Sequence, residues 1–201
     1  DIGILRAAVE GLSTSPERKA ALLRHLWRPK RFRKLLAWFT GDAPRARTAR
    51  TSSAPFLGLR SQEEVHARLE LLDADAKMPP IPAEETAKIA AILSLKAPMA
   101  EAADRLGDTL GDVPSLQRMR ARIAAMEALG IDVTALEFEG AYGRTNMEYY
   151  DGFVFGFYAA EAPLPPVATG GRYDALTAAM GRAVPAVGGV IRPALFVEVA
   201  S

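Results

Sequence analysis

The chain has 201 residues, 49% of them hydrophobic, with 25 Lys/Arg against 24 Asp/Glu, so length and composition support one large domain or a domain with an inserted piece. It has no cysteine, which excludes disulfides, thiolate metal sites and a cysteine nucleophile, and its two histidines, His25 and His66, lie too far apart in sequence to favour a His-based metal site or a Ser-His-Asp triad. No apolar run approaches the ~20 residues of a membrane span and no basic-apolar-small leader pattern opens the chain, so a soluble, cytoplasmic protein without metal or cofactor is expected. The net charge of +1 is unevenly spread: residues 1–50 carry 12 Lys/Arg against 4 Asp/Glu, and residues 51–201 carry 13 against 20.

Residues 4–11 read as a short helix ended by Gly11. In the stretch 13–39, Ser15 is a candidate N-cap with Pro16 at the first helical position. Leu22, Leu23 and Leu26 give an apolar face, and Pro29 ends or kinks the helix before Leu35, Leu36 and Phe39 open a shorter one. The same stretch holds Arg18, Lys19, Arg24, Arg28, Lys30, Arg31, Arg33 and Lys34 against Glu17 alone. No aromatic stacking platform accompanies them, so a solvated face near a subunit interface is favoured over a nucleic-acid site. Residues 41–60 are loop-like, rich in Pro, Gly, Ser, Thr and Arg. Ser61 with Glu64 is a capping box opening a helix whose face is Val65, Leu69 and Leu72. The run 77–82 breaks the chain, 83–96 is helical, and 112–130 is a helix with Leu116, Met119, Ile123, Met126 and Leu129 at helical spacing, stopped by Gly130.

After residue 130 the period changes to two. Leu136, Phe138 and Gly140 alternate with Glu137 and Glu139. In 152–159, Phe153, Phe155 and Phe157 face one way and Val154, Gly156 and Tyr158 the other, which predicts a strand covered on both faces. Strands are expected at 166–170 and 183–191, a helix at 173–181, and a last helix starting at Pro193. The division is a helical segment over 1–130, containing the loop 41–60, and the C-terminal part of a sheet core over 131–201. The class is α+β with a mostly antiparallel sheet.

The residues with chemical potential lie in this second part. Tyr149 and Tyr150, as strand neighbours, are expected to point to opposite faces. Gly170 and Gly171 precede Arg172, and Gly188 and Gly189 repeat the theme. With Gly156 these glycines are expected to floor one small pocket lined by Tyr150, Tyr173 and Glu148, with positive φ or close backbone approach as their physical use.

The three ordered motifs "MEYYDGFVF", "TGGRYDAL" and "AVPAVGG" resemble the histidine-recognition core of class II histidyl-tRNA synthetases. There the pattern is Arg-Gly-Leu-Asp-Tyr-Tyr-Thr-Gly, then Gly-Gly-Gly-Arg-Tyr-Asp, then Ala-Val-Gly. They are more similar still to the non-synthetase paralogue, the regulatory subunit of ATP phosphoribosyltransferase, which commonly has an Asn in the place of Asn146. The likeness covers about 142–191. It implies the class II synthetase-like antiparallel sheet with helices. It also places the first two class II motifs, the N-terminal part of the fold, before Asp1.

The departures from the synthetase pattern fall on its catalytic cations. Alignment on Tyr149-Tyr150 puts Thr145 at the activating arginine, with Arg144 displaced by one residue and hence to the other face of a strand. Leu195 stands seven residues beyond Gly188, at the ATP-binding arginine. Losing such a charge-assisted contact costs a bound triphosphate ~1.5–3 kcal/mol. No anticodon-binding domain is expected after Ser201, and no tRNA partner.

The resemblance therefore implies a non-catalytic regulator of histidine biosynthesis. It implies a histidine site of Tyr150, Tyr173, Gly170, Gly171, Met147 and Thr145, with Glu148 and Arg172 behind it. It also implies self-association and assembly with a short-form catalytic subunit. The alternatives are a fragment of a histidyl-tRNA synthetase, or a stand-alone amino-acid- or RNA-binding module.

Overall fold

Caps and prolines set where the helices begin in the computed structural model, which describes residues 1–41, 61–143, 149–160 and 164–200. Helix α1 (Ile2–Glu10) starts where the Asp1 carboxylate accepts the Gly3 N–H at 2.9 Å. The Ser15 hydroxyl accepts the Arg18 N–H at 3.3 Å and opens α2 (Pro16–Leu23). Pro29 breaks the chain as expected, but it does so by starting a helix: it occupies the first turn of α3 (Pro29–Thr40), where a missing N–H leaves no bond unmade. Gly41, at φ 84°, closes α3. The capping box at Ser61 and Glu64 is closed in both directions, at 3.1 and 2.9 Å, and starts α4 (Gln62–Ala76). Helices α5 (Ala83–Ser94), α6 (Met99–Leu110) and α7 (Pro114–Ala128) follow, and Gly130 takes φ 76° just beyond α7. No helix among the described residues is long and apolar enough to cross a membrane.

The core lies among α1, α2, α3, α5, α6 and α7, around Ile4, Val9, Leu22, Leu26, Phe32, Ile89, Leu106, Leu116 and Met119, all fully buried. Two expectations about it need correction. The apolar row of α4 is present but unburied, with Leu69 48% and Leu72 41% exposed. The row on α7 is buried from Leu116 to Ile123, while Leu129, past the last turn, is exposed.

Helix α6 has no counterpart in the elements expected from sequence. Its inward positions, Met99, Ala102, Ala103, Leu106 and Leu110, do recur at helical spacing, so the amphipathic signal is present in the sequence although no helix was expected there. Ahead of it, the stretch 83–96 leaves the helix at Leu95, whose backbone is extended, and continues as strand β1 (Lys96–Pro98), in which Pro98 holds the preceding Ala97 extended. Strand β1 pairs antiparallel with β2 (Glu137–Glu139), Ala97 opposite Phe138, so one ladder joins segments on either side of residue 130. In β2 the expected alternation holds: Phe138 is buried between the exposed Glu137 and Glu139.

A separate antiparallel sheet of order β3-β4-β5 is built from β3 (Val154–Phe157), β4 (Ala168–Arg172) and β5 (Val187–Ile191). Helix α8 (Asp174–Ala179) connects β4 to β5, and α9 (Pro193–Ala200) starts at Pro193. The sheet meets the helical part where the Ile2 N–H donates to the Gly152 carbonyl at 3.2 Å. Its two faces are not both covered among the described residues. Phe157, Val187 and Ile191 on one face, and Val190 on the other, are all more than half exposed. Apolar groups on both sides of a strand show that it can be covered twice; the covering layer is a separate matter of tertiary packing.

Candidate functional site

The strand register sorts the glycines. Residues directly opposite in an antiparallel ladder share a face, and neighbours along a strand do not. Val154, Gly171 and Gly188 form one row across the sheet, and Gly156, Thr169 and Val190 the next row on the same face. Phe155, Gly170 and Gly189 lie on the opposite face. The adjacent Gly170 and Gly171 therefore serve different sides of the sheet.

None of these glycines has positive φ, so left-handed backbone is not their use. Close packing is. A Cβ on Gly171 would lie 2.7 Å from the Phe153 carbonyl oxygen and 2.8 Å from Cδ1 of Tyr150. One on Gly188 would lie 2.7 Å from the Tyr173 hydroxyl, and one on Gly170 2.6 Å from the Phe155 ring. A Cβ on Gly156 would collide with the Tyr142 hydroxyl. The floor is there, and rings of the chain itself lie on it: Tyr142, Tyr150 and Tyr173 on one face, Phe155 on the other.

Tyr149 and Tyr150 lie in the turn before β3, not in the strand, and so escape strand alternation. Instead of opposing each other across the sheet, their rings are 4.4 Å apart, tilted by 39°. Tyr173 completes the cluster, with its ring centre 5.6 Å from that of Tyr149 and 6.2 Å from that of Tyr150. Tyr150 is buried and Tyr149 is 41% exposed. Burial, reinforced by the Tyr149 hydroxyl and the charge that either neighbouring phenolate would carry, pushes the Tyr150 pKa up to about 12. At neutral pH Tyr150 is therefore an uncharged hydrogen-bonding group and a poor general base. The arrangement offers aromatic faces and hydroxyls on a glycine floor, the equipment for holding a small planar ligand.

A pH dependence follows from that shift. The folded state keeps the Tyr150 proton above the ~10 of a free tyrosine. The associated stability is complete below about pH 10 and is lost as pH rises through about 12. Denaturant midpoints are expected to fall across that window, phenolate absorbance is expected to show a late-ionising tyrosine, and Tyr150→Phe is expected to remove one late proton. An unshifted titration in Tyr150→Phe would contradict the assignment.

Arg172 is committed to structure. Its Nε and Nη2 donate to one Asp174 oxygen at 2.8 and 2.7 Å, and the other Asp174 oxygen accepts the Ala186 N–H at 2.8 Å. The Arg172 hydrogen bond holds the Asp174 carboxyl below its ordinary range. Asp151 accepts the N–H groups of Asp174 and Ala175 at the start of α8. This lattice fixes the turn that carries Tyr173. Nearby, the Arg122 guanidinium of α7 lies 4.3 Å above the Phe153 ring, and burial, then repulsion from Arg172 and Arg118, lowers its pKa to about 10.

Tyr150, Tyr173 and Gly171 are thus brought together, Gly170 faces away, and Met147, Thr145 and Glu148 lie outside the described residues. Three residues on the tyrosine face escaped sequence reasoning. The hydroxyls of Tyr142 and Tyr158 are 3.2 Å apart with edge-to-face rings, and Arg192 donates from Nη1 to the Pro166 carbonyl at 2.9 Å and to Thr169 Oγ1 at 3.4 Å. Strand parity was the available signal: Tyr158 follows Val154 and Gly156 in steps of two, as Arg192 follows Gly188 and Val190.

A family model described as histidyl-tRNA synthetase matches residues 1–194. Among curated relatives, proteins named ATP phosphoribosyltransferase regulatory subunit are similar over part of the chain. That of Allorhizobium ampelinum is 38% identical over 105 residues, 48% of this chain and 27% of the relative. That of Mesorhizobium japonicum is 40% identical over 76 residues, 37% of this chain and 20% of the relative. That of Agrobacterium fabrum is 32% identical over 115 residues, 54% of this chain and 30% of the relative. The chain therefore spans less than a third of the length of these relatives. A crystal structure described as an ATP phosphoribosyltransferase regulatory subunit/histidyl-tRNA synthetase from Bacillus halodurans aligns with the whole chain and 42% of its own, with a TM-score of 0.61 and 19% identity. That likeness bears out the expected α+β, synthetase-like fold.

Proposed function

The chain belongs to the histidyl-tRNA synthetase family, and from that premise we propose that it serves as a regulatory subunit of ATP phosphoribosyltransferase, binding histidine as feedback effector and supporting a separate short-form catalytic subunit. The names of the curated relatives support the regulatory role. The observation that carries the ligand is the gathering of Tyr150 and Tyr173 over the paired Gly171 and Gly188 on one sheet face. Tyrosine hydroxyls there supply donors and acceptors for an imidazole or an amino group, and the rings supply a flat apolar wall. Leu195 in place of a cation leaves a triphosphate without one charge-assisted contact.

Binding alone does not regulate. Histidine must prefer one assembly state over another, and a tenfold preference corresponds to about 1.4 kcal/mol. The test is reconstitution with a short-form catalytic subunit. Stimulated phosphoribosyl transfer, suppressed by histidine, is the expected result, with no ATP–pyrophosphate exchange. Robust histidine-dependent exchange would overturn the proposal.

At the residue level, Tyr173→Phe is expected to weaken histidine binding by one hydrogen bond, ~0.5–1.5 kcal/mol, with the fold retained. Calorimetry checks this, and unchanged affinity removes the Tyr173 hydroxyl from the site.

A further inference from the structure

We propose that Arg192 is a specificity residue of the tyrosine face, binding the carboxylate of the amino acid held there; this rests on the histidine reading above. Ile191 pairs with Ala168 on the far face, so Arg192, whose N–H donates to the Val167 carbonyl at 2.9 Å, continues β5 onto the near face. Its reach to Thr169 Oγ1 agrees, because Thr169 stands in the row of Gly156 and Val190.

The spacing fits an amino acid. Along β4, Thr169 and Gly171 are two residues apart on the same face, about 6.8 Å. The ring cluster marks the Gly171 end and the guanidinium the Thr169 end. Three bonds of ~1.5 Å place the carboxyl carbon of histidine at most about 4 Å from the ring atom that bears the chain and about 5 Å from the ring centre, a gap the arginine side chain closes. An imidazole held beside the Tyr150 and Tyr173 rings, which themselves cover the glycines, therefore directs its carboxylate toward Arg192.

The charge is available. Both hydrogen-bond partners of the Arg192 head group among the described residues, the Pro166 carbonyl and the Thr169 hydroxyl, are neutral, and both engage Nη1. Among the described residues no carboxylate lies within ion-pair distance of it, in contrast to Arg172 and its Asp174. The two bonds orient the guanidinium plane and leave Nε and Nη2 for a planar anion, the geometry in which arginine meets carboxylates through two parallel bonds. Thr169 and the Pro166 backbone thus preorganise a cation whose counterion is a ligand's.

Calorimetry on the full chain tests this with histidine, histidine methyl ester and histamine, which share the imidazole and amine but not the free carboxylate. Wild-type protein is expected to prefer histidine by roughly ten- to a hundredfold, and Arg192→Gln to lose that margin while binding histamine as wild type does. Equal affinity of wild type for histidine and its methyl ester overturns the assignment without reference to any variant. So does an Arg192→Gln protein that keeps the histidine preference, or one that loses both ligands equally; each leaves the histidine reading intact. A wild-type chain that binds none of the three removes that reading and this one together.

Discussion

Arg18→Ala is expected to lower the free energy of unfolding by about 3–5 kcal/mol, the usual consequence of breaking one side of a buried ion pair. Arg18 is only 2% exposed although it belongs to the most basic stretch of the chain. Its Nε donates to Asp75 Oδ1 at 2.5 Å, its Nη1 to the Pro79 carbonyl and its Nη2 to the Asp75 carbonyl, each at 2.7 Å. The guanidinium also lies 5.1 Å from the Phe39 ring centre. One side chain of α2 thus holds the end of α4 and the turn after it, for a helix that buries no side chain of its own. Removal takes the Arg18 bond from the Asp75 carboxylate and a donor from the Asp75 and Pro79 carbonyls, of which the Asp75 carbonyl keeps the Met78 N–H. Arg18→Lys is expected to recover little, since a point charge on a flexible stem cannot serve three acceptors set around a planar fork. Urea unfolding of both variants measures this, and a loss below about 1 kcal/mol for the alanine variant would show that the clamp is dispensable.

Gly171→Val is expected to cost about 1–3 kcal/mol by overpacking and to abolish histidine binding. The position has no room: the Phe153 carbonyl oxygen and the Tyr150 ring both fall within 3.0 Å of the added Cβ. The carbonyl belongs to the sheet and accepts the Arg172 N–H at 2.9 Å, so it does not yield; the Tyr150 ring must move. That displacement takes the buried tyrosine off its floor and breaks the three-ring cluster, which near-UV circular dichroism reads directly. Gly188→Ala is expected to be milder, because the closest atom there is the outer end of Tyr173 and the next is 3.4 Å away. A folded Gly171→Val protein with wild-type histidine affinity would show that the ligand lies elsewhere.

Local chemistry was legible in the amino-acid order. The cap at Ser15, the box at Ser61 and Glu64, the stop at Gly130 and the period-two runs around Phe138 and Phe155 each depend on a few neighbouring residues, and each appears where those residues dictate. Residues whose signal is weak or shared went unread. The apolar row of α6 from Met99 to Leu110 is interleaved with acidic residues and was passed over, and the expected helix end at 95–96 is instead the extended entry to β1.

The candidate site divides in the same way. The motifs around Tyr150, Gly171 and Tyr173 stood out in the linear order, and alternation along one strand separates Gly170 from Gly171, but nothing local says that Gly171 lies opposite Val154 and Gly188, that Tyr173 covers Gly188, or that Arg192 returns to Thr169. Those relations depend on register between strands separated by turns and a helix. The same holds for Arg18: its place in a basic run says solvent, and only the arrival of Asp75, 57 residues later, makes its burial favourable. Residue types and short spacings determine which groups can bond, cap or alternate; long-range packing alone decides which of them meet, because a burial energy belongs to both partners and neither carries it singly.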